Sequence, residues 1–260
     1  MILRRLTQHV QEQNWFAVAL EVAIVVVGVF VGLQVSNWNE ARQNRALAAN
    51  YTERLQADLR DEIATMRSAS DYFGAVRRHG LAALDAIEQP PDNLDEQFLI
   101  DLYQASQEWN LSVRNGTYEE LLATGRIDHL ANDRTRRLLA TYYERAKMRA
   151  QTLQDRSDYR QIIREQMAYR IQLAIREQCD DIYTIGEGNS TGFFVSLPEA
   201  CRVDLAPSLV RQETVRLHAS DPVRQALRFQ LSILDSRLNS IDNAIRTGGN
   251  MLTELTGGHP

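Results

Sequence analysis

The side chains able to do chemistry are sparse in this sequence. Five histidines, His9, His79, His129, His218 and His259, stand far apart, and none belongs to the Glu-x-x-His pair that a di-iron helical bundle would need. Asp128-His129 is adjacent in sequence and reads as a turn pair. No nucleophile elbow or other hydrolase signature is present. The run GEGNSTG, Gly186 to Gly192, invites a phosphate-loop reading, but no lysine follows its last glycine and its spacing is neither Walker A nor the dinucleotide fingerprint. It reads as a turn. The sequence therefore assigns no catalytic, cofactor-binding or metal-ligating set, and the chain reads as non-enzymatic with no cofactor.

Two features remain. Cys179 and Cys201 flank the least helical stretch of the chain, 179–207, which suggests a disulfide bridge; the alternative is two unrelated buried thiols. In an oxidising compartment, closing such a loop stabilises a fold by about 3 kcal/mol in the chain-entropy model. Two thiols without a nearby histidine fall short of a zinc shell. The second feature is Glu21, a carboxyl about 8 Å from the middle of an apolar run at about 1.5 Å rise per residue. There it costs about 2–3 kcal/mol on insertion scales, so it is a functional candidate. Gly28 and Gly32 lie within about 20° of it on a helical wheel. They form a GxxxG that Ser36 extends at the same spacing, so carboxyl and small residues would meet one partner.

That run, Trp15 to Trp38, is the element around which the rest is arranged. It is long enough to cross a hydrocarbon core of about 30 Å with modest tilt. Val22 to Leu33 has no polar residue on any face, and Trp15 and Trp38 sit where interfacial aromatics belong. The first small-x-small triplet, Ala46 to Ala48, lies well past its end, which favours an uncleaved signal anchor over a cleaved signal peptide. Residues 1–14 form a short polar leader with Arg4 and Arg5. Those charges favour a cytoplasmic N-terminus, but Arg42, Arg45 and Arg54 flank the other end, so charge alone leaves orientation open. The cysteines tip the remainder outward. A net charge of −5 gives no electrostatic case for nucleic acid.

Beyond the anchor, residues 39–260 suffice for one domain. The apolar spacing Leu47, Tyr51, Leu55, Leu59, Ile63, Met66, Phe73, Val76, Leu84, Ile87 predicts one helix from the membrane to about Glu88, stopped by Pro90 and Pro91. Shorter helices follow over Leu94–Gln107 and Thr117–Thr124, the latter with Thr117 and Glu120 as a capping box and Gly125 as its stop. Asp133 is expected to cap one long helix to about Cys179, with Leu138, Leu139, Tyr142, Tyr143, Leu153, Tyr159, Ile162, Ile163, Met167, Ile171 and Ile175 on its apolar side. Arg134, Arg136, Arg137, Arg145, Lys147 and Arg149 early in that helix read as a solvated basic face. After the irregular excursion, Ser208–His218 is a brief helix, and Asp221-Pro222 starts a last long one, with Asp221 at the cap, Pro222 at the first helical position and Leu227, Leu231, Leu234, Leu238, Ile241 and Ile245 as its core stripe. Strand-like alternation occurs at Phe193 to Ser196. The fold class is all-α: a single transmembrane helix continuing into an antiparallel extracytoplasmic bundle.

Two passages carry a resemblance. The anchor and its exit, with Glu21-Val22 and then Leu33, Gln34, Asn37, Trp38, Asn39 and Glu40, resemble the signature of a family of uncharacterised bacterial single-pass membrane proteins, a domain of unknown function. Tyr118 with Leu121, Gly125 with Ile127, and Tyr142-Tyr143 resemble that family's later pattern. The resemblance implies an anchored helical protein of the bacterial envelope and supplies no activity. Together with the cysteines it points to the inner membrane, with the leader cytoplasmic and the domain periplasmic. The expected function is an interaction or scaffold module whose span forms a homodimer or meets another transmembrane protein. The alternatives are a subunit of a larger complex with Glu21 as a protonatable intramembrane group, and a ligand-sensing periplasmic bundle.

Overall fold

The computed structural model describes residues 15–112, 114–130, 132–154, 156–186 and 193–257. The expectations for the leader, for His9 and His259, and for the part of the glycine-rich turn at 187–192 fall outside them. The chain divides by packing into Met1–Tyr51 and Thr52–Pro260. One helix, α1 (Trp15–Ile87), supplies the first unit and opens the second. In the first unit the side chains of Val22 to Leu33 are all exposed. α1 carries the segment long and apolar enough to cross a membrane, with mean hydropathy 2.2 and no part of that window buried.

The second unit is a helical domain. α1 stops at Ile87, and Pro91–Asn93 turns the chain into α2 (Glu96–Gln104), capped by the Asp95 carboxylate accepting from the Gln97 N–H at 2.9 Å. α3 (Gly116–Ala123) ends at Gly125, whose φ of +66° is the left-handed stop that favours glycine. α4 (Asp133–Gln154), α5 (Tyr159–Gln166) and α6 (Tyr169–Cys179) follow. A hairpin, β1 (Ile182–Ile185) with β2 (Phe193–Ser196), pairs Tyr183 with Val195 and Ile185 with Phe193. α7 (Pro207–His218) and α8 (Asp221–Gly257) complete the domain. β2 is the segment the sequence singled out; β1 was not legible.

α1 and α8 run antiparallel in a register set by side chains. Gln56 Nε2 donates to the Leu255 carbonyl at 3.1 Å, Arg77 pairs with Asp235 at 2.5 Å, and a Cβ on Gly248 would meet Ile63 Cγ1 at 3.0 Å. The predicted stripes close the core: Leu55, Leu59, Phe73 and Val76 of α1 and Leu227, Leu234 and Ile241 of α8 are completely or almost completely buried. Lone helices of this kind are marginal in water, so burial of these stripes holds them in place.

Several expectations are corrected. Residues 133–179 contain neither glycine nor proline, yet the single predicted helix is broken twice. At Met167 and Ala168 the chain is extended, with ψ of 133° and 131°. Side chains complete the backbone groups freed there. Glu213 Oε1 accepts from the Ala168 N–H at 2.5 Å, and Gln172 Nε2 donates to the carbonyls of Arg164 and Met167, both at 2.7 Å. Arg216 donates to the Gln166 carbonyl, and Ser220 Oγ to Gln166 Oε1 at 2.6 Å. At the first break, Ser157 Oγ donates to Gln230 and accepts from the Tyr159 N–H at 3.4 Å.

The caps also move. Asn132, not Asp133, accepts from the Thr135 N–H at 2.8 Å, and Ser220, not Asp221, accepts from the Val223 N–H at 3.4 Å. The Thr117 capping box does not form, because Glu120 is taken by Arg54 of α1 at 2.5 Å and Thr117 lies inside the first turn. Leu138, expected in the core, is 38 % exposed.

Candidate functional site

Helix geometry places Glu21, Gly28 and Gly32 along one line of α1, with Ser36 about 60° away at 100° per residue. All four are exposed, and a Cβ on Gly28 or Gly32 would meet nothing within 4 Å. The face is open to another helix at close backbone distance.

Cys179 and Cys201 come together at disulfide-bonding distance, their Cα atoms 5.4 Å apart. Cys179 ends α6, and its carbonyl accepts from Gln104 Nε2 at 2.8 Å, which fixes the root of the hairpin against α2. The hairpin is anchored a second time by Asp181, whose carboxylate oxygens each accept from the Tyr72 hydroxyl at 3.2 Å. Burial pushes both groups upward, the Tyr72 phenol well above its usual range and the Asp181 carboxyl above that of an ordinary aspartate. The ring of Tyr183 stacks on Phe193 with centroids 5.5 Å apart.

A buried polar group was missed. Glu62 of α1 is only 3 % exposed and lines a small cavity with Ala146, Arg149 and Leu153 of α4. Burial raises its carboxyl above the ordinary glutamate value, opposed by a hydrogen bond from Tyr142 and the charge of Arg149, with Asp58 adding to the rise. Arg149 also donates through Nη1 to Thr247 Oγ1 at 3.4 Å, so a residue read as part of a solvated basic face points inward. The signal was available: Glu62 sits three residues after Leu59 and four before Met66, on the apolar stripe itself.

The rest of the basic run divides. Arg136 donates to the Asp128 carbonyl at 2.9 Å and pairs with Asp133, and Arg134 meets Glu254 at 3.4 Å. Arg137, Arg145 and Lys147 are exposed. Of the described histidines, His79 Nδ1 lies 2.7 Å from Asp101 Oδ1, tying α1 to α2, His218 Nε2 lies 2.8 Å from the Gln89 carbonyl, and His129 is exposed at the end of the turn Arg126–His129. Among the described residues no three His, Cys, Asp or Glu side chains group as metal ligands.

The pattern residues of the Tyr118–Tyr143 segment do assemble. Tyr118 stacks on Tyr143 with centroids 4.3 Å apart and 15° between ring planes, Leu121 is fully buried, and Gly125 turns the chain. No family model, curated protein or solved structure matches the chain, so the likeness carried by these residues and by Glu21 to Glu40 remains an expectation.

Proposed function

We propose that the protein is a non-enzymatic interaction or scaffold module of the bacterial inner membrane, anchored through residues 15–38 as an uncleaved signal anchor. The leader 1–14 is cytoplasmic and residues 39–260 are periplasmic. The Glu21, Gly28 and Gly32 face is where a second copy or another transmembrane protein packs. The observation that carries this reading is an apolar segment of α1 left wholly uncovered by its own chain, with two glycines open on the carboxyl's side. Lipid offers no hydrophobic drive between helices, so association rests on close backbone approach and interhelical hydrogen bonds. Small residues permit the first and Glu21 offers the second. The cysteine pair supports an oxidising compartment for the domain.

A two-copy reporter of helix association in membranes tests the proposal. Gly28→Ile or Gly32→Ile is expected to lower the signal several-fold, whereas Val27→Ile on another face leaves it unchanged. Equal behaviour of the glycine and control variants overturns it. The exposed Glu21 carboxyl on the apolar segment favours a second reading, a protonatable group within a larger complex. Under that reading Glu21→Gln abolishes activity of the complex while association persists.

A further inference from the structure

We propose that the groove between α4 and α8 is a binding site for a small apolar monocarboxylate. The groove has a volume of about 300 Å³ and is lined by Leu138, Tyr142 and Arg145 of α4 and Asn250, Met251 and Glu254 of α8. That volume accommodates one aromatic ring or a short alkyl chain.

Its floor is apolar and immobilised. Tyr142 and Met251 are 6 % and 5 % exposed. The Tyr142 ring packs edge-on to Tyr143, with centroids 5.1 Å apart. Thr247, beside the floor, is engaged by Arg149 at 3.4 Å and by its own helix through the Asn243 carbonyl at 2.8 Å. Gly248 lets α8 come this close, since a Cβ there would stand 3.4 Å from the Tyr142 hydroxyl. A site whose walls are fixed in advance loses little entropy on binding.

Charge selects the ligand. Glu254 is matched by Arg134 at 3.4 Å, whereas Arg145 is exposed and has no hydrogen bond or ion pair among the described residues. One uncompensated guanidinium above an apolar floor fits one carboxylate with an apolar body. An amine meets repulsion from Arg145, and an uncharged amide forgoes the charge-assisted bond. Leu138 lies at the rim, where a ligand's apolar body would cover it.

The test uses the full chain in nanodiscs of zwitterionic phospholipid, which keeps detergent away from the groove. The probes are 3-phenylpropionate, 3-phenylpropionamide and 3-phenylpropylamine, followed by ligand-observed NMR and by the melting temperature. The carboxylate is expected to bind saturably and raise the melting temperature with concentration, and the other two are not. Arg145→Gln should weaken binding about tenfold or more, the scale of one charge-assisted hydrogen bond. Leu138→Trp should fill the groove and abolish binding, with Asn250→Trp as a second way of filling it should the first variant melt early. Arg137→Gln should bind as the wild type does. Absence of saturable binding, equal binding of all three probes, or wild-type binding by Arg145→Gln overturns the proposal.

Discussion

α8 and the stretch 133–179 make an instructive pair. α8 contains Gly248-Gly249, each costing a helix about 1 kcal/mol relative to alanine, and it runs unbroken from Asp221 to Gly257. Residues 133–179 contain no glycine or proline and break twice. Propensity predicts the opposite order. What separates them is where partners for backbone polar groups are found. α8 runs on as one helix through both glycines, and Gly248 admits Ile63 and Tyr142 at close range. At Met167-Ala168, side chains of Gln172, Glu213, Arg216 and Ser220 supply hydrogen bonds to the opened backbone or its neighbours, so leaving the helix carries little penalty.

The largest expected effect comes from removing the clamp. Glu213 is 4 % exposed and accepts from both Ala168 N–H and Arg216. Glu213→Ala is expected to destabilise the domain by about 2–4 kcal/mol, read as the midpoint shift in urea, because a half-buried N–H and half-exposed Arg216 lose their acceptor. Unchanged stability would mean the break forms without the clamp. Burial alone would raise the Glu213 carboxyl, but hydrogen bonds from Arg216 and the Ala168 N–H hold it below the ordinary glutamate value of 4.5. Its contribution is therefore present above that value and is lost as the pH falls below it through the depressed one. Glu213→Gln should lack that part of the acid transition.

A smaller effect is expected from Gln172→Ala, which removes the donor to two carbonyls at the same break. A loss of about 1–2 kcal/mol is expected in the same urea titration. A value near zero would assign those carbonyls to solvent and return the break to chain preference.

The smallest effects sharpen the α8 side. Gly249 has nothing within 4 Å of its Cβ position, so Gly249→Ala should stabilise by about 0.5–1 kcal/mol in thermal unfolding. Gly248→Ala gains the same propensity but sets a Cβ 3.0 Å from Ile63 Cγ1, so a net loss of about 1 kcal/mol is expected. Equal responses at the two positions would show that propensity, not packing, governs this helix.

Much of this architecture is determined by the sequence alone. The apolar segment of α1, the buried stripes of α1 and α8, the stops at Ile87 and Gly125, and the pairing of Cys179 with Cys201 follow from hydrophobic spacing, proline and glycine chemistry, and cysteine placement. These signals are local or strictly periodic, so one chain carries them in full. The Glu21, Gly28 and Gly32 line is legible for the same reason, since it depends only on helical pitch. Tertiary structure decided the division of 133–179, the inward turn of Arg149 and the exposure of Leu138. The first two depend on a partner distant in sequence, Glu213 for Ala168 and Thr247 for Arg149. A hydrogen bond between such residues leaves no periodic trace, and only the folded chain determines which polar group meets which.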